Sequence, residues 1–185
     1  FNLLSQPIQF WISSPLSNFL NINEYGGILV SKHPVIFILF FISGLFFYLI
    51  CKMLFVDKKF AIISLLIFYL YPYFFGHAQF NPKDIPFLSF WIINTYLIIR
   101  LIKNLFDEQK ITLKLLFSIS LFTSILISIR IVGILILLQY LIFFIVFTEY
   151  KKKNLFNFFL ILKKNNFISL VLILIFIVVL NPIFW

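Results

Sequence analysis

The stretch Val35–Cys51, VIFILFFISGLFFYLIC, holds no charged residue and is bounded by Lys32 and Lys52. A membrane-crossing helix needs about 20 mostly apolar residues, with a range of roughly 17 to 25. The run meets that requirement. Its apolar residues are continuous, whereas a strand of a membrane barrel alternates between apolar and polar positions. Outward from it, similar runs recur at 60–75, 85–102, 111–129, 131–148 and 167–185. Several are short, so aromatic residues and snorkelling lysines must complete their ends at the interface.

Composition supports the same reading. Hydrophobic residues make up 63% of the 185, and Phe alone occurs 28 times. Charged residues reach 11%, against about 25% in an ordinary soluble domain. That balance argues against a water-soluble globular enzyme, because too much apolar surface would face water. It also excludes disorder, which needs low hydrophobicity and high charge. The single cysteine, Cys51, rules out a disulfide framework and reads as a small buried hydrophobe. The expected fold class is therefore all-α: a polytopic transmembrane helix bundle of about six spans plus interfacial helices.

The basic residues orient this bundle. If the six runs alternate across the membrane, one side carries Lys52, Lys58, Lys59, Arg100, Lys103, Lys110, Lys114, Lys151, Lys152, Lys153, Lys163 and Lys164. The other side carries only Lys32, Lys83 and Arg130. Such an imbalance marks the richer side as cytoplasmic. Residues 1–34, the connection 76–84 and the turn at Arg130 then face away from the cytoplasm. The formal net charge of +9 thus reflects membrane orientation and attraction to anionic lipid headgroups. It does not indicate nucleic-acid binding, since no basic loop belongs to a recognised nucleic-acid fold.

Two segments lie outside the spans. Residues 1–34 form an expected non-cytoplasmic juxtamembrane segment ahead of a transmembrane domain at 35–185. Its apolar residues are interrupted by Pro7 and Pro15, which suits short helices on the membrane surface. Segment 154–162 would cover only about 13 Å as a helix. Flanked by Lys151–Lys153 and Lys163–Lys164, it reads as an interfacial helix.

The connection Gly76-His77-Ala78-Gln79-Phe80-Asn81-Pro82-Lys83-Asp84, followed by Ile85-Pro86-Phe87, carries the chemical signal. An ordinary turn accounts for Asn81-Pro82 and for Asp84 as a helix cap with Pro86 in the first helical turn. It does not account for His77 and Lys83 beside them at a membrane boundary. Ionisable groups there are costly and often functional.

The sequence GHAQFNPKDIPF resembles a motif of bacterial polytopic glycosyltransferases related to the family 39 protein mannosyltransferases, which share the C-type glycosyltransferase fold. Further points of resemblance are Lys32-His33 before a helix, Arg130-Ile131-Val132-Gly133 in a turn, and a terminal NPIFW. The similarity extends over most of residues 30–185, and the loop is its specific part. The resemblance implies transfer of a sugar from a polyprenyl-phosphate carrier to an acceptor outside the cytoplasm, in the bacterial inner membrane. The loop 76–84 would then be periplasmic or extracellular. It implies a cavity carboxylate at Asp84 and basic or polar substrate contacts from His33, His77, Asn81, Lys83 and Arg130. A base activates the acceptor hydroxyl, and cations stabilise the departing phosphate.

One element of that pattern has no counterpart in the chain. The family's first-loop acid should follow a transmembrane helix, yet the only acid in residues 1–34 is Glu24. The chain opens on Phe1 and closes on Trp185 within an apolar run. The expectation is a piece of a longer protein, with the catalytic base upstream and no transfer activity from this piece alone. Asp84 and that upstream acid are suited to share a divalent ion, but the ligands visible here specify no metal. No cofactor is identified, since neither a phosphate-binding Gly-rich loop nor a dinucleotide fingerprint occurs. The expected partners are membrane lipids, the lipid-linked sugar donor and an unidentified acceptor.

Arg130 follows the run 111–129, about 28 Å as a helix, which puts it near the outer interface. Snorkelling from a helix end is the ordinary explanation; the resemblance implies a phosphate contact. Two other functions fit the same composition: a transporter or flippase of lipid-linked material, and a non-catalytic membrane subunit. A transporter should show repeats and helices broken near the midplane. No clear repeat is visible in the sequence.

Overall fold

In a computed structural model, residues 25–107, 112–151 and the positions 172, 175 and 176 are described. Every element among them is a helix. The apolar run at 35–51 lies inside α1 (Tyr25–Leu54), whose membrane-crossing part is His33–Leu54. The helix starts ahead of Pro34, so it overlaps the juxtamembrane segment assigned to 1–34. Residues 1–24 lie outside the described residues, as do the interfacial segment 154–162 and nearly all of the expected span 167–185.

A short connection leads to α2 (Lys58–Leu70). Asp57 caps it, its carboxylate accepting from the Lys59 N–H at 2.9 Å, which satisfies one of the orphan donors of the first turn. The expected span 60–75 does not continue as one helix. It breaks at Tyr71 and resumes as α3 (Pro72–Phe80), bent by 53°. Proline is the cause: Pro72 lacks an N–H, and its ring drives the preceding residue into extended backbone. Tyr71 sits at φ −63°, ψ 114°. The same rule ends α3, where Asn81 before Pro82 sits at φ −88°, ψ 102°. Two X-Pro dipeptides thus bracket one helix, and most of the expected loop 76–84 is helical.

After this turn comes α4 (Asp84–Phe106), a span through Leu105. Two of its interior polar side chains bond along the helix itself. Asn94 donates to the Phe90 carbonyl at 3.0 Å and Thr95 to that of Trp91 at 2.8 Å.

The chain divides into two units, Phe1–Tyr96 and Leu97–Trp185. In the first, α1 packs against α2 and α3. Lipid is as apolar as any side chain, so close packing and polar contacts, more than the hydrophobic effect, hold membrane helices together. Here aromatic packing does this. Phe68 stacks on Phe40 at 5.2 Å and on Phe47 at 5.0 Å between ring centroids. Tyr69 donates to the Phe41 carbonyl at 2.7 Å. Its ring occupies the space that a Cβ at Gly44 would need, so glycine there lets α2 approach. Phe37 meets Phe75 edge-on at 6.0 Å and ties α1 to α3.

The second unit contains α5 (Leu113–Ile129), a 3-10 turn (Ile131–Ile134) and α6 (Leu135–Lys151). α5 is apolar but short, 17 residues or about 25 Å. Ile131–Glu149 is long enough to cross. The Thr123 and Tyr140 hydroxyls meet at 2.8 Å and join α5 to α6. Exposed Leu138, Leu141, Ile142, Ile145 and Val146 give α6 the apolar outer surface that hydrocarbon demands. Among the described residues, three helices are long and apolar enough to span, and the bent pair α2–α3 makes a fourth crossing if it acts as one. The protein is an all-α polytopic membrane helix bundle, in agreement with its sequence.

Candidate functional site

The turn between α3 and α4 is organised by Asn81. Its Oδ1 accepts the backbone N–H of Lys83 at 3.1 Å and of Asp84 at 2.9 Å. This is the N-cap pattern, with Pro82 and Lys83 in the turn that leads into α4 at Asp84. The cap expected of Asp84 therefore belongs to Asn81, and Asp84 takes a first-turn position. There the partial positive charge of the helix N-terminus favours a carboxylate.

Two backbone donors leave no ambiguity in the Asn81 amide: the atom facing them is oxygen. Its Nδ2 is then the donor to Asp84 Oδ2 at 3.0 Å and to His77 Nδ1 at 3.0 Å. His77 must accept at Nδ1, so its ring is neutral and carries its proton on Nε2. The imidazole is packed by Tyr73 at 4.2 Å and by Phe80 at 5.2 Å between ring centroids. Tyr73 and Phe80 were not among the sequence candidates. The spacing of Tyr73 to His77 is one helical turn, a signal legible only once residues 72–80 are known to be helical.

His33 joins the same end of the first unit. Its Nδ1 lies 2.6 Å from the carbonyl oxygen of Gln79. A carbonyl only accepts, so His33 Nδ1 is the donor and α1 is tied to α3. The Lys83 side chain is exposed beside the turn. Five of the six candidates, His33, His77, Asn81, Lys83 and Asp84, thus gather at one end of the helices of the first unit. Lys52, Lys58 and Lys59 occupy the other end: along α1, about 28 Å of helix separates His33 from Lys52.

Arg130 belongs to the second unit. It ends α5, in extended backbone at φ −148°, ψ 132°, and opens the 3-10 turn. Its N–H donates to the Leu126 carbonyl at 3.3 Å, and its own carbonyl accepts from Gly133 at 2.8 Å. A Cβ added to Gly133 would lie 2.7 Å from the Leu126 carbonyl oxygen. That contact is with backbone, which cannot step aside. Gly133 therefore closes the turn against α5 and fixes the backbone that carries the exposed Arg130. A cation at a helix C-terminus also complements the helix dipole.

Among the described residues, no three His, Cys, Asp or Glu side chains converge as a metal site would require. The arrangement offers a carboxylate at a helix start, a neutral imidazole with one N–H, and the Lys83 cation beside the turn, at the end of a membrane-crossing helix. Such a set can accept a proton from a hydroxyl and bind an oxyanion. No family model, curated protein or solved structure matches the chain.

Proposed function

We propose that the protein is a membrane-embedded glycosyltransferase. It moves a sugar from a polyprenyl-phosphate donor to an acceptor on the non-cytoplasmic side of a bacterial inner membrane. The observation that carries this reading is the Asp84–Asn81–His77 network at the start of a membrane-crossing helix. Asp84 supplies a carboxylate to the reaction, and Lys83 and His33 supply groups for the carrier phosphate; for Arg130 a phosphate contact is what the resemblance implies. The resemblance of GHAQFNPKDIPF to the polytopic glycosyltransferases gives the substrate class. Purified full-length protein in nanodiscs should release labelled sugar from a short polyprenyl-phosphate donor onto acceptors in a membrane extract. Absence of release under any acceptor supply overturns the reading.

One observation favours the transporter or flippase instead: the 53° break between α2 and α3, since discontinuous helices build transport sites. A fluorescent lipid-linked sugar that changes leaflet in proteoliposomes without losing its sugar decides for that alternative.

The side assignment is tested separately. In a Cys51→Ala background, cysteine at the exposed position Gln79 should react with an impermeant thiol reagent from outside intact cells. Cysteine at exposed Val56, between Lys52 and Lys58, should react only after permeabilisation. The reverse pattern places the network on the cytoplasmic side and removes the proposed site.

A further inference from the structure

We infer that Asn81 is the positioning residue of this site: one planar amide holds the Asp84 carboxylate and the His77 ring in a fixed relation, with the His77 proton on Nε2. The role in turnover rests on the glycosyltransferase reading; the hydrogen-bond role does not.

Capping α4 uses only half of the Asn81 side chain. The oxygen accepts from Lys83 and Asp84, and Ser or Asp would serve as well for that purpose. The nitrogen half has no part in capping, yet both of its protons are directed at ionisable side chains. Because the amide is planar, the two bonds cannot be adjusted independently. The backbone N–H pair sets the plane, and the plane sets where the carboxylate and the imidazole sit. Tyr73 and Phe80 pack against the ring of His77, which restricts its freedom to rotate away. His77 is then left with Nε2–H as its remaining polar edge, a donor suited to an oxygen of the substrate. Asn81 itself has its hydrogen-bonding capacity filled by protein groups, so its influence on substrate passes through its two partners.

The test separates capping from positioning. Asn81→Asp and Asn81→Ser both keep a preferred cap, while Asn81→Asp replaces the amide donor by an acceptor. The full-length protein is labelled with 15N-histidine and reconstituted in nanodiscs. Within residues 1–185 only two histidines occur, and single His→Gln variants assign them. Wild type should show His77 with an unprotonated Nδ1 and His33 with a protonated Nδ1. In Asn81→Asp the His77 proton should move to Nδ1, while the His33 signals stay in place. Sugar transfer by Asn81→Asp should fall about 100-fold in kcat, the scale of a misplaced reacting group, with little change in KM for the donor. Unchanged His77 signals in Asn81→Asp overturn the hydrogen-bond role. A shifted ring with wild-type kcat overturns the role in turnover. If wild-type protein transfers no sugar at all, the glycosyltransferase reading fails while the His77 spectra still decide the role of Asn81.

Discussion

Sugar transfer by the Asp84→Asn variant of the full-length protein is expected to fall by about 10²- to 10⁴-fold, the range attributed to a positioned acid or base. The substitution is close to isosteric. An amide oxygen at position 84 still accepts from Asn81 Nδ2, the bond that spans 3.0 Å in the native turn. The cap is untouched, because it depends on the Asn81 oxygen and the backbone N–H of residues 83 and 84. What disappears is the negative charge at the start of α4. Loss of the favourable dipole interaction alone would cost about 0.3–1 kcal/mol of helix stability, too little to prevent insertion. Expression level and thiol labelling at Gln79 should therefore match wild type while turnover collapses. Wild-type turnover would reduce Asp84 to a first-turn residue that serves helix stability.

Donor affinity should distinguish Arg130→Lys from Arg130→Gln. Arginine pairs two phosphate oxygens through a rigid fork, whereas lysine offers a point charge. Arg130→Lys should keep part of the affinity for the polyprenyl-phosphate donor, and Arg130→Gln should lose more. A hydrogen bond to a charged group contributes about 1.5–3 kcal/mol, or roughly 10- to 150-fold in Kd. The backbone at this position is held by the Leu126 carbonyl and by Gly133, so neither variant should disturb the turn. An arginine that only caps α5 or snorkels would tolerate both changes within about 0.5 kcal/mol. Titration of the donor into wild type and both variants in nanodiscs decides the matter. Equal affinities remove Arg130 from the phosphate site.

The span positions were legible because hydrophobic length is a one-dimensional property. The runs 35–51, 85–102 and 131–148 fall within the membrane-crossing helices His33–Leu54, Asp84–Leu105 and Ile131–Glu149. The misreading at 60–84 also has a local origin. Gly76, Asn81 and Pro82 read together as a loop, and Pro72 is hidden inside an apolar run. Yet the rule that residues before proline adopt extended backbone was available at both Tyr71 and Asn81. Applied there, it would have isolated residues 72–80 as a separate helix. Gly76 gave a false signal, since open space surrounds the position where its Cβ would stand and the helix does not need a glycine.

Sequence by itself determined the helical class, three of the crossing segments and the crowding of ionisable residues between His77 and Asp84, because hydrophobic length and polar clustering need no partner to be read. Only the tertiary structure decided which of those residues act on one another. Nothing in the order Asn-Pro-Lys-Asp says that the Asn81 oxygen turns to the backbone and its nitrogen to His77 and Asp84. That follows from the return of α3 into α4 through the extended pre-proline residue Asn81. Nor does the chain announce that His33 bonds to Gln79 across 46 positions. That contact exists because α3 packs against α1, and packing between distant segments is a property of the folded chain alone. The glycine roles divide in the same way. A Gly44 under the ring of Tyr69 and a Gly133 against the backbone of Leu126 look alike in sequence, and the neighbour that each must admit is supplied by the fold.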